Sequence, residues 1–224
     1  MTPQTRFWWP LLLCATMLCA VACSSGAPRR TYMLTPPMNP TASATPTPSQ
    51  RLEVRRILVP DYLDTTDILT RSGNDEVKIS STGRWGERLS QGLTQAVDAD
   101  LATRMPNMAI VQDGSRSAQR QLRITITALD LWPDGRCVLA ASWSVVDQDS
   151  SVPVTTGNGT FDTSNAGGPA TVSDANLVEA VERTVAKLAD SIVPDLPDVV
   201  EVPAVAASPE RASPRAGSSA LTAD

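Results

Sequence analysis

Cysteines and one short run of aspartates are the side chains whose type and spacing could do chemistry in this sequence. The chain contains no histidine, which removes the usual general base near neutral pH and the commonest metal ligand. The one carboxylate cluster is Asp61, Asp64 and Asp67, and this spacing is explained more simply by loop solvation and turn formation. We therefore expect a protein that is not an enzyme and that has no catalytic residues, no metal and no cofactor.

Cys23 has a setting of its own. It follows Arg6, an apolar run over residues 7–21 and two small residues around Val21, which is the pattern of a secretion signal over residues 1–22. Ala20-Val21-Ala22-Cys23 resembles the lipobox of bacterial lipoproteins, in which the cysteine is lipidated. An ordinary signal with a chance cysteine is the alternative.

The other cysteines are weaker lipidation candidates. Cys14 and Cys19 each follow a bulky leucine, which is a poor neighbour for a cleavage site. Cys137 lies in a predicted strand and is expected to be a small core residue. Ser24, rather than an aspartate, follows Cys23, and by resemblance to lipoprotein sorting this favours the periplasmic face of the outer membrane. Two or more acyl chains on Cys23 would hold the protein there permanently.

The net charge of the chain is −5. An acidic chain gains little from the phosphates of nucleic acids or from anionic lipid headgroups. We therefore expect no nucleic-acid partner.

Composition divides the remaining chain into three parts. Residues 23–50 and 197–224 are rich in Pro, Ser, Thr and Ala, which predicts a tether and a disordered tail around a folded domain at 51–196. Tyr32, Met33 and Leu34 interrupt the tether. They are either an isolated apolar patch or a short strand added to a sheet edge.

Residues 51–101 predict the elements around which the domain is organised. A strand over 51–59 precedes a loop in which Tyr62 and Leu63 should pack on the domain or on a partner. A hairpin over 67–80 follows. Ser81 or Thr82 is the predicted cap of a helix with an apolar face at every fourth residue. That face consists of Trp85, Leu89, Leu93, Val97 and Leu101.

The second half alternates apolar and polar residues before ending in a helix. Strands are predicted over 108–111, 121–131, 137–147 and 152–161. Ser173 should cap a helix that stops at Pro194. The prediction is an α+β two-layer sandwich, in which two amphipathic helices cover one face of a largely antiparallel sheet of about six strands.

Several of these segments together resemble the ABC-type transport auxiliary lipoprotein family. They are the lipobox, Tyr32-x-Leu34, the segment ILVPDYLDTTDILTR over 57–71, GRWGERL over 83–89, a Trp143-bearing strand and a final amphipathic helix. The resemblance covers roughly residues 31–196. Its most specific elements are Pro60-x-Tyr62-Leu63-Asp64 and Arg84-Trp85.

The resemblance implies a lipoprotein partner of transenvelope lipid carriers built from mammalian-cell-entry (MCE) domains. It would dock such a carrier at the outer membrane, and it could also assemble with copies of itself. Tyr62, Leu63, Arg84 and Trp85 are the candidate partner-binding residues, because Arg and aromatic residues often dominate interfaces. Alternatively, Trp85 covers the sheet with Arg84 stacked on it. A free-standing binder of a lipid or other hydrophobic ligand is the competing function, and it would need a concave apolar pocket between sheet and helices.

Overall fold

The computed structural model describes residues 28–34, 50–111, 114, 117–150, 152–164 and 172–196. The predicted signal peptide, Cys23, most of the tether and the predicted tail lie outside these residues. Within the described ranges, no helix is both long enough and apolar enough to cross a membrane.

In the residues that the structure describes, eight strands and two helices make up the domain. The strands are β1 (Arg30–Tyr32), β2 (Gln50–Val54), β3 (Asp67–Arg71), β4 (Val77–Trp85), β5 (Met108–Val111), β6 (Arg120–Leu131), β7 (Cys137–Asp147) and β8 (Pro153–Thr163). The helices are α1 (Leu89–Arg104), between β4 and β5, and α2 (Asp174–Ile192), which is followed by a 3-10 turn at Val193–Asp195.

The strands form two mixed sheets, so the prediction of one largely antiparallel sheet of about six strands was wrong. The larger sheet has the order β5-β2-β6-β7-β8, and the smaller has the order β1-β4-β3. β2 runs parallel to both β5 and β6, and β1 runs parallel to β4. Parallel neighbours need long crossovers, and here the segment from β3 to α1 supplies the crossover between β2 and β5. The meander β6-β7-β8 is antiparallel, as predicted.

Apolar residues that alternate along the strands and recur at helical spacing on the helices form one hydrophobic core. On β6, Leu122, Ile124 and Ile126 are each at most 1% exposed, while the residues between them face solvent. The predicted apolar stripe of α2 is buried in the same cluster as this face of β6. Its members are Leu177, Val178, Val181, Val185, Leu188 and Ile192.

The first helix begins later than predicted. β4 continues through Trp85, and α1 starts at Leu89 with Arg88 before it. Neither Ser81 nor Thr82 caps it. The hydroxyl of Thr82 instead donates to the Asp174 carboxylate at the start of α2, at 2.5 Å. The hydroxyl that was predicted to cap α1 is therefore engaged in a tertiary contact with α2.

The start of α2 is as predicted. Ser173 accepts a hydrogen bond from the backbone N–H of Asn176, and the Asn176 side chain accepts one from the Ser173 backbone. Farther along this helix, Arg183 donates to Glu179 at 2.6 Å, one turn apart. The helix gives way to the 3-10 turn containing Pro194.

Candidate functional site

The loop between β2 and β3 holds one predicted contact residue inside the domain and one outside. Backbone hydrogen bonds from Leu63 to Pro60 (2.9 Å) and from Thr65 to Leu63 (2.8 Å) wind it into tight turns. These turns bury Leu63, which is only 4% exposed, and leave Tyr62 48% exposed. Leu63 is therefore a core residue, and Tyr62 lies on the surface.

Asp64 fixes this loop to the start of α1. Its carboxylate accepts from the Ser90 backbone N–H at 3.2 Å and from the Arg88 guanidinium at 3.4 Å. Arg88 also donates to the Asp64 carbonyl oxygen at 2.9 Å. Burial raises the pKa of Asp64, but hydrogen bonds from Ser90 and the charge of Arg88 outweigh it and hold the pKa below its ordinary value.

Asp61, Asp64 and Asp67 each make a different structural contact. Asp64 caps α1, while Asp67 pairs with Arg29 at 3.3 Å. Asp61 is exposed and its carbonyl oxygen closes a turn. The interpretation of these carboxylates as loop and turn residues is therefore the one that the contacts support.

Trp85 and Arg84 are also divided into one buried and one exposed residue, as Leu63 and Tyr62 are. Trp85 is 3% exposed, lies opposite Tyr32 of β1 and donates its backbone N–H to Thr66 at 2.8 Å. Arg84 points out of the sheet and is exposed. The hydrogen bond between Trp85 and Thr66 places the end of the loop that carries Tyr62 beside the end of β4.

β1 decides between the two interpretations of the apolar patch in the tether. Tyr32 pairs with Trp85, and the Gly86 backbone N–H donates to the Tyr32 carbonyl at 2.7 Å. Leu34 is 3% exposed, whereas Met33 is 52% exposed. The patch is therefore not an isolated one: Tyr32 ends a strand added to the domain's own smaller sheet, and Leu34 is buried just after it.

A basic cavity of about 470 Å³ was missed by sequence reasoning. It lies where the chain leaves β2 and runs along β6, and the residues that line it are Arg55, Arg56, Leu58, Gln121, Arg123, Ile124 and Thr125. The only sequence signals were the Arg55-Arg56 pair after an apolar strand and a further arginine on a polar strand position. Neither signal shows that the two segments are adjacent.

Glu53 stands beside this cavity as a buried carboxylate. It is 1% exposed, and its Oε1 accepts from the Gly114 backbone N–H at 2.6 Å and from Arg55 at 3.4 Å. Its Oε2 is buried without a hydrogen-bond partner among the described residues. The carboxylate restrains Arg55 at the cavity wall.

The fold and these surfaces define a class of protein. An α+β domain presents an exposed tyrosine, an exposed arginine and an arginine-lined cavity, and these are groups that bind by packing, hydrogen bonding and charge.

The chain belongs to the ABC-type transport auxiliary lipoprotein component family, whose pattern matches residues 32–193. This confirms the family resemblance seen in the sequence. The chain is 26% identical over 136 residues to the intermembrane transport lipoprotein PqiC of Escherichia coli (strain K12), covering 60% of this chain and 72% of that protein. The family is one of transport auxiliary lipoproteins rather than of enzymes.

Solved structures agree on the fold. The crystal structure of an uncharacterized protein aligns with a TM-score of 0.61 at 18% identity, over 75% of this chain and 99% of the other. Protein XCC0632 from Xanthomonas campestris aligns with a TM-score of 0.55 at 16% identity, over 75% of this chain and 93% of the other. At these identities the likeness concerns the fold alone.

Proposed function

We propose that this chain is a lipid-anchored periplasmic component of an ABC-type transenvelope lipid transport system, and that it docks an MCE-domain transporter at the outer membrane. The observation that carries the proposal is the family match, which starts at Tyr32 in β1 and ends at Val193 just after α2. It thus spans the folded domain as the structure describes it. The name of the E. coli relative, an intermembrane transport lipoprotein, supports the same role.

The anchor is proposed to be Cys23 carrying acyl chains, palmitate among them. A Cys23→Ala variant should lose its lipid and appear in the soluble periplasmic fraction, whereas a Cys19→Ala variant should stay with the membranes. Mass spectrometry of the protein from its native host should show the acylated amino terminus. A Cys23→Ala protein that still sediments with outer membranes would contradict this anchor.

Docking is proposed to use the exposed members of the predicted contact residues. Tyr62 and Arg84 can touch a partner directly, while the buried Leu63 and Trp85 act by positioning them. After solubilisation of envelopes in mild detergent, the full chain should recover an MCE-domain protein. Tyr62→Ser and Arg84→Gln should each lower that recovery at least threefold.

The matched control is Ile79→Ser. Ile79 is an exposed apolar residue, 56% accessible, on β4, so its replacement changes surface hydrophobicity without touching the Tyr62 loop. Equal recovery by all three variants would remove these residues from the interface. Recovery of the wild-type chain alone, with no transporter, would contradict docking itself.

The competing proposal was a free-standing binder with an apolar pocket between sheet and helices. Apolar side chains of the sheet and of the helices, such as Leu122 on β6 and Val181 on α2, are fully buried in one packed cluster. The described cavity instead opens beside β2 and β6 and is lined by arginines. No observation of the inner face favours the apolar pocket.

A further inference from the structure

The basic cavity is built by an irregularity in the parallel pairing of β2 with β6. Val54 lies opposite Leu122, and Leu58 lies opposite Thr125. Between these two pairs the chain that continues β2 advances by four residues and β6 by three, so the β2 side contains one extra residue. An extra residue of this kind redirects neighbouring side chains. It explains why Arg55 and Arg56 are both exposed although they are adjacent in sequence.

Hydrogen bonds on both sides hold this irregular segment in place. The Arg55 backbone N–H donates to Leu122 at 2.9 Å, and that of Leu58 donates to Ile124 at 3.0 Å. Between them, the Ile57 backbone N–H donates to the Thr94 hydroxyl of α1 at 3.0 Å. The rim of the cavity is thus anchored to both a strand and a helix, which makes it a preformed feature.

Two of the three arginines are oriented by neutral partners. Arg56 donates to the side-chain oxygen of Gln91 at 3.5 Å, and Arg123 donates to that of Gln121 at 3.1 Å. Amide oxygens position a guanidinium without cancelling its charge. Arg55 is different, because it is ion-paired with Glu53. Among the described residues that line the cavity there is no carboxylate, so Arg56 and Arg123 give it a positive charge in a chain whose net charge is −5.

Leu58 adds an apolar surface to this charged site. It is 63% exposed and lines the cavity together with the arginines. Guanidinium groups match the oxygens of phosphate with paired hydrogen bonds. An apolar wall beside them fits a ligand that carries hydrocarbon next to its phosphate.

We propose that this cavity binds the phosphate group of a phosphate ester, with Arg56 and Arg123 as the principal ligands and Leu58 in contact with the adjoining apolar part. The net negative charge of the chain predicted no gain from phosphate groups, but local charge governs binding within a cleft. The site stands independently of the proposed docking role, because its residues differ from Tyr62 and Arg84.

Calorimetric titration of the full chain, purified in a nonionic detergent, tests the site with two probes. One probe is dihexanoyl phosphatidylglycerol below its micellar concentration, and the other is inorganic phosphate. Arg56→Gln and Arg123→Gln should each weaken binding of the lipid probe at least fivefold, and the double variant should abolish it. Arg123→Lys should give an intermediate loss, because lysine keeps the charge but not the paired hydrogen bonds.

The control is Arg136→Gln, which removes an exposed arginine that stacks on Trp132 at 4.5 Å rather than lining the cavity. It should bind within twofold of wild type. Thermal unfolding of each variant separates lost binding from lost folding. Leu58→Ser should weaken the lipid probe and leave inorganic phosphate unchanged.

The two probes also distinguish the source of the phosphate. Tenfold tighter binding of the lipid probe would support a headgroup ligand, and equal binding would support the site with free phosphate as its source. Binding of neither probe would overturn the proposal. So would wild-type affinity in the folded double variant, or binding of polyglutamate in the absence of phosphate binding, which would indicate an acidic peptide instead.

Discussion

The Asp64 carboxylate accepts a hydrogen bond at 3.2 Å from the backbone N–H of Ser90, which lies 26 residues farther along the chain. The first turn of a helix leaves backbone N–H groups without intrahelical partners. Arg88, the residue before α1, makes no side-chain capping bond. Asp64, a loop residue distant in sequence, therefore caps the start of α1, as the adjacent Ser173 caps the start of α2.

Replacing Asp64 by alanine should lower the free energy of unfolding by about 1 kcal/mol, the usual effect of losing a helix cap. The stabilising contribution depends on pH because the pKa of Asp64 is lowered in the folded protein. It is present above the unfolded value of about 3.8 and is lost as the pH falls through the folded pKa. Urea unfolding at pH 7 and pH 3 measures both effects.

Asp61→Ala is the control for that experiment. Asp61 lies in the same loop but is exposed, so its replacement should change stability by less than about 0.5 kcal/mol. Equal losses in the two variants would show that Asp64 does not act as a cap.

Sequence patterns predicted the second half of the domain well because its elements are local. The strand predicted over 137–147 has those same limits as β7, since alternation and flanking turns act within a few residues. Ser173 is likewise a local signal, confirmed by its bond from Asn176.

The prediction of the first half was wrong where the spacing of apolar residues fits both a helix and a strand. Trp85 is four residues before Leu89, which fits a helix, but it also lies at an even spacing from Val77 along a strand. Tertiary contacts resolve the ambiguity, because Ser80 and Thr82 both donate to Asp174, 94 and 92 residues away. No local pattern contains that information.

The candidate sites were predictable in part for the same reason. An aromatic residue in a turn-rich loop, such as Tyr62, is visible in sequence. Which of Tyr62 and Leu63 faces outwards depends on the packing of the loop against α1. The arginine cavity depends on the parallel register of β2 and β6, with its one extra residue, and the spacing of Arg55 and Arg123 does not reveal it.

Gly157 on β8 should not tolerate a side chain. A Cβ atom there would lie 2.4 Å from the indole ring of Trp143 on the neighbouring strand. That ring is held by a hydrogen bond from its N–H to Asp195 at 2.8 Å, after α2. Gly157→Ala should therefore destabilise the protein by about 1–3 kcal/mol through overpacking, measured by thermal or urea unfolding.

Gly73 provides the comparison, since a Cβ atom there meets nothing within 4 Å. Gly73→Ala should change stability by less than about 0.5 kcal/mol. If Gly157→Ala were equally neutral, the close packing of the indole on β8 would be refuted.

Cys137 should be unreactive in the folded protein. The residue is fully buried at the start of β7, and burial raises the pKa of its thiol to about 11 although a hydrogen bond with Thr184 opposes the shift. Because the thiolate is the reactive form, an aromatic disulfide reagent at pH 8 should modify it about a hundredfold more slowly in buffer than in 8 M urea.

A Cys137→Ser variant tests the assignment of the released thiol. With Cys23 acylated, that variant should release no thiol even in urea. Equal rates of modification of the wild-type protein in buffer and in urea would contradict a buried thiol.

Asp98 on α1 should make the protein less stable at neutral pH than at pH 5. Burial raises the pKa of this carboxyl from 3.8 to about 7, and its Oδ1 is buried without a partner in the described part of the chain. Between pH 3.8 and about pH 7, the Asp98 carboxyl holds a proton in the folded state that it has lost in the unfolded state. Stability therefore falls as the pH rises through this window.

Asp98→Asn should remove this dependence, because an amide stays neutral when it is desolvated. We expect the variant to match wild type near pH 4 and to be more stable by about 1–3 kcal/mol at pH 7.5. Asp149→Asn, an exposed change after β7, should follow the wild-type curve. Unfolding free energies measured by urea titration from pH 4 to pH 8 give the comparison. Parallel curves for the wild type and Asp98→Asn over this range would contradict a raised pKa of Asp98 in the folded protein.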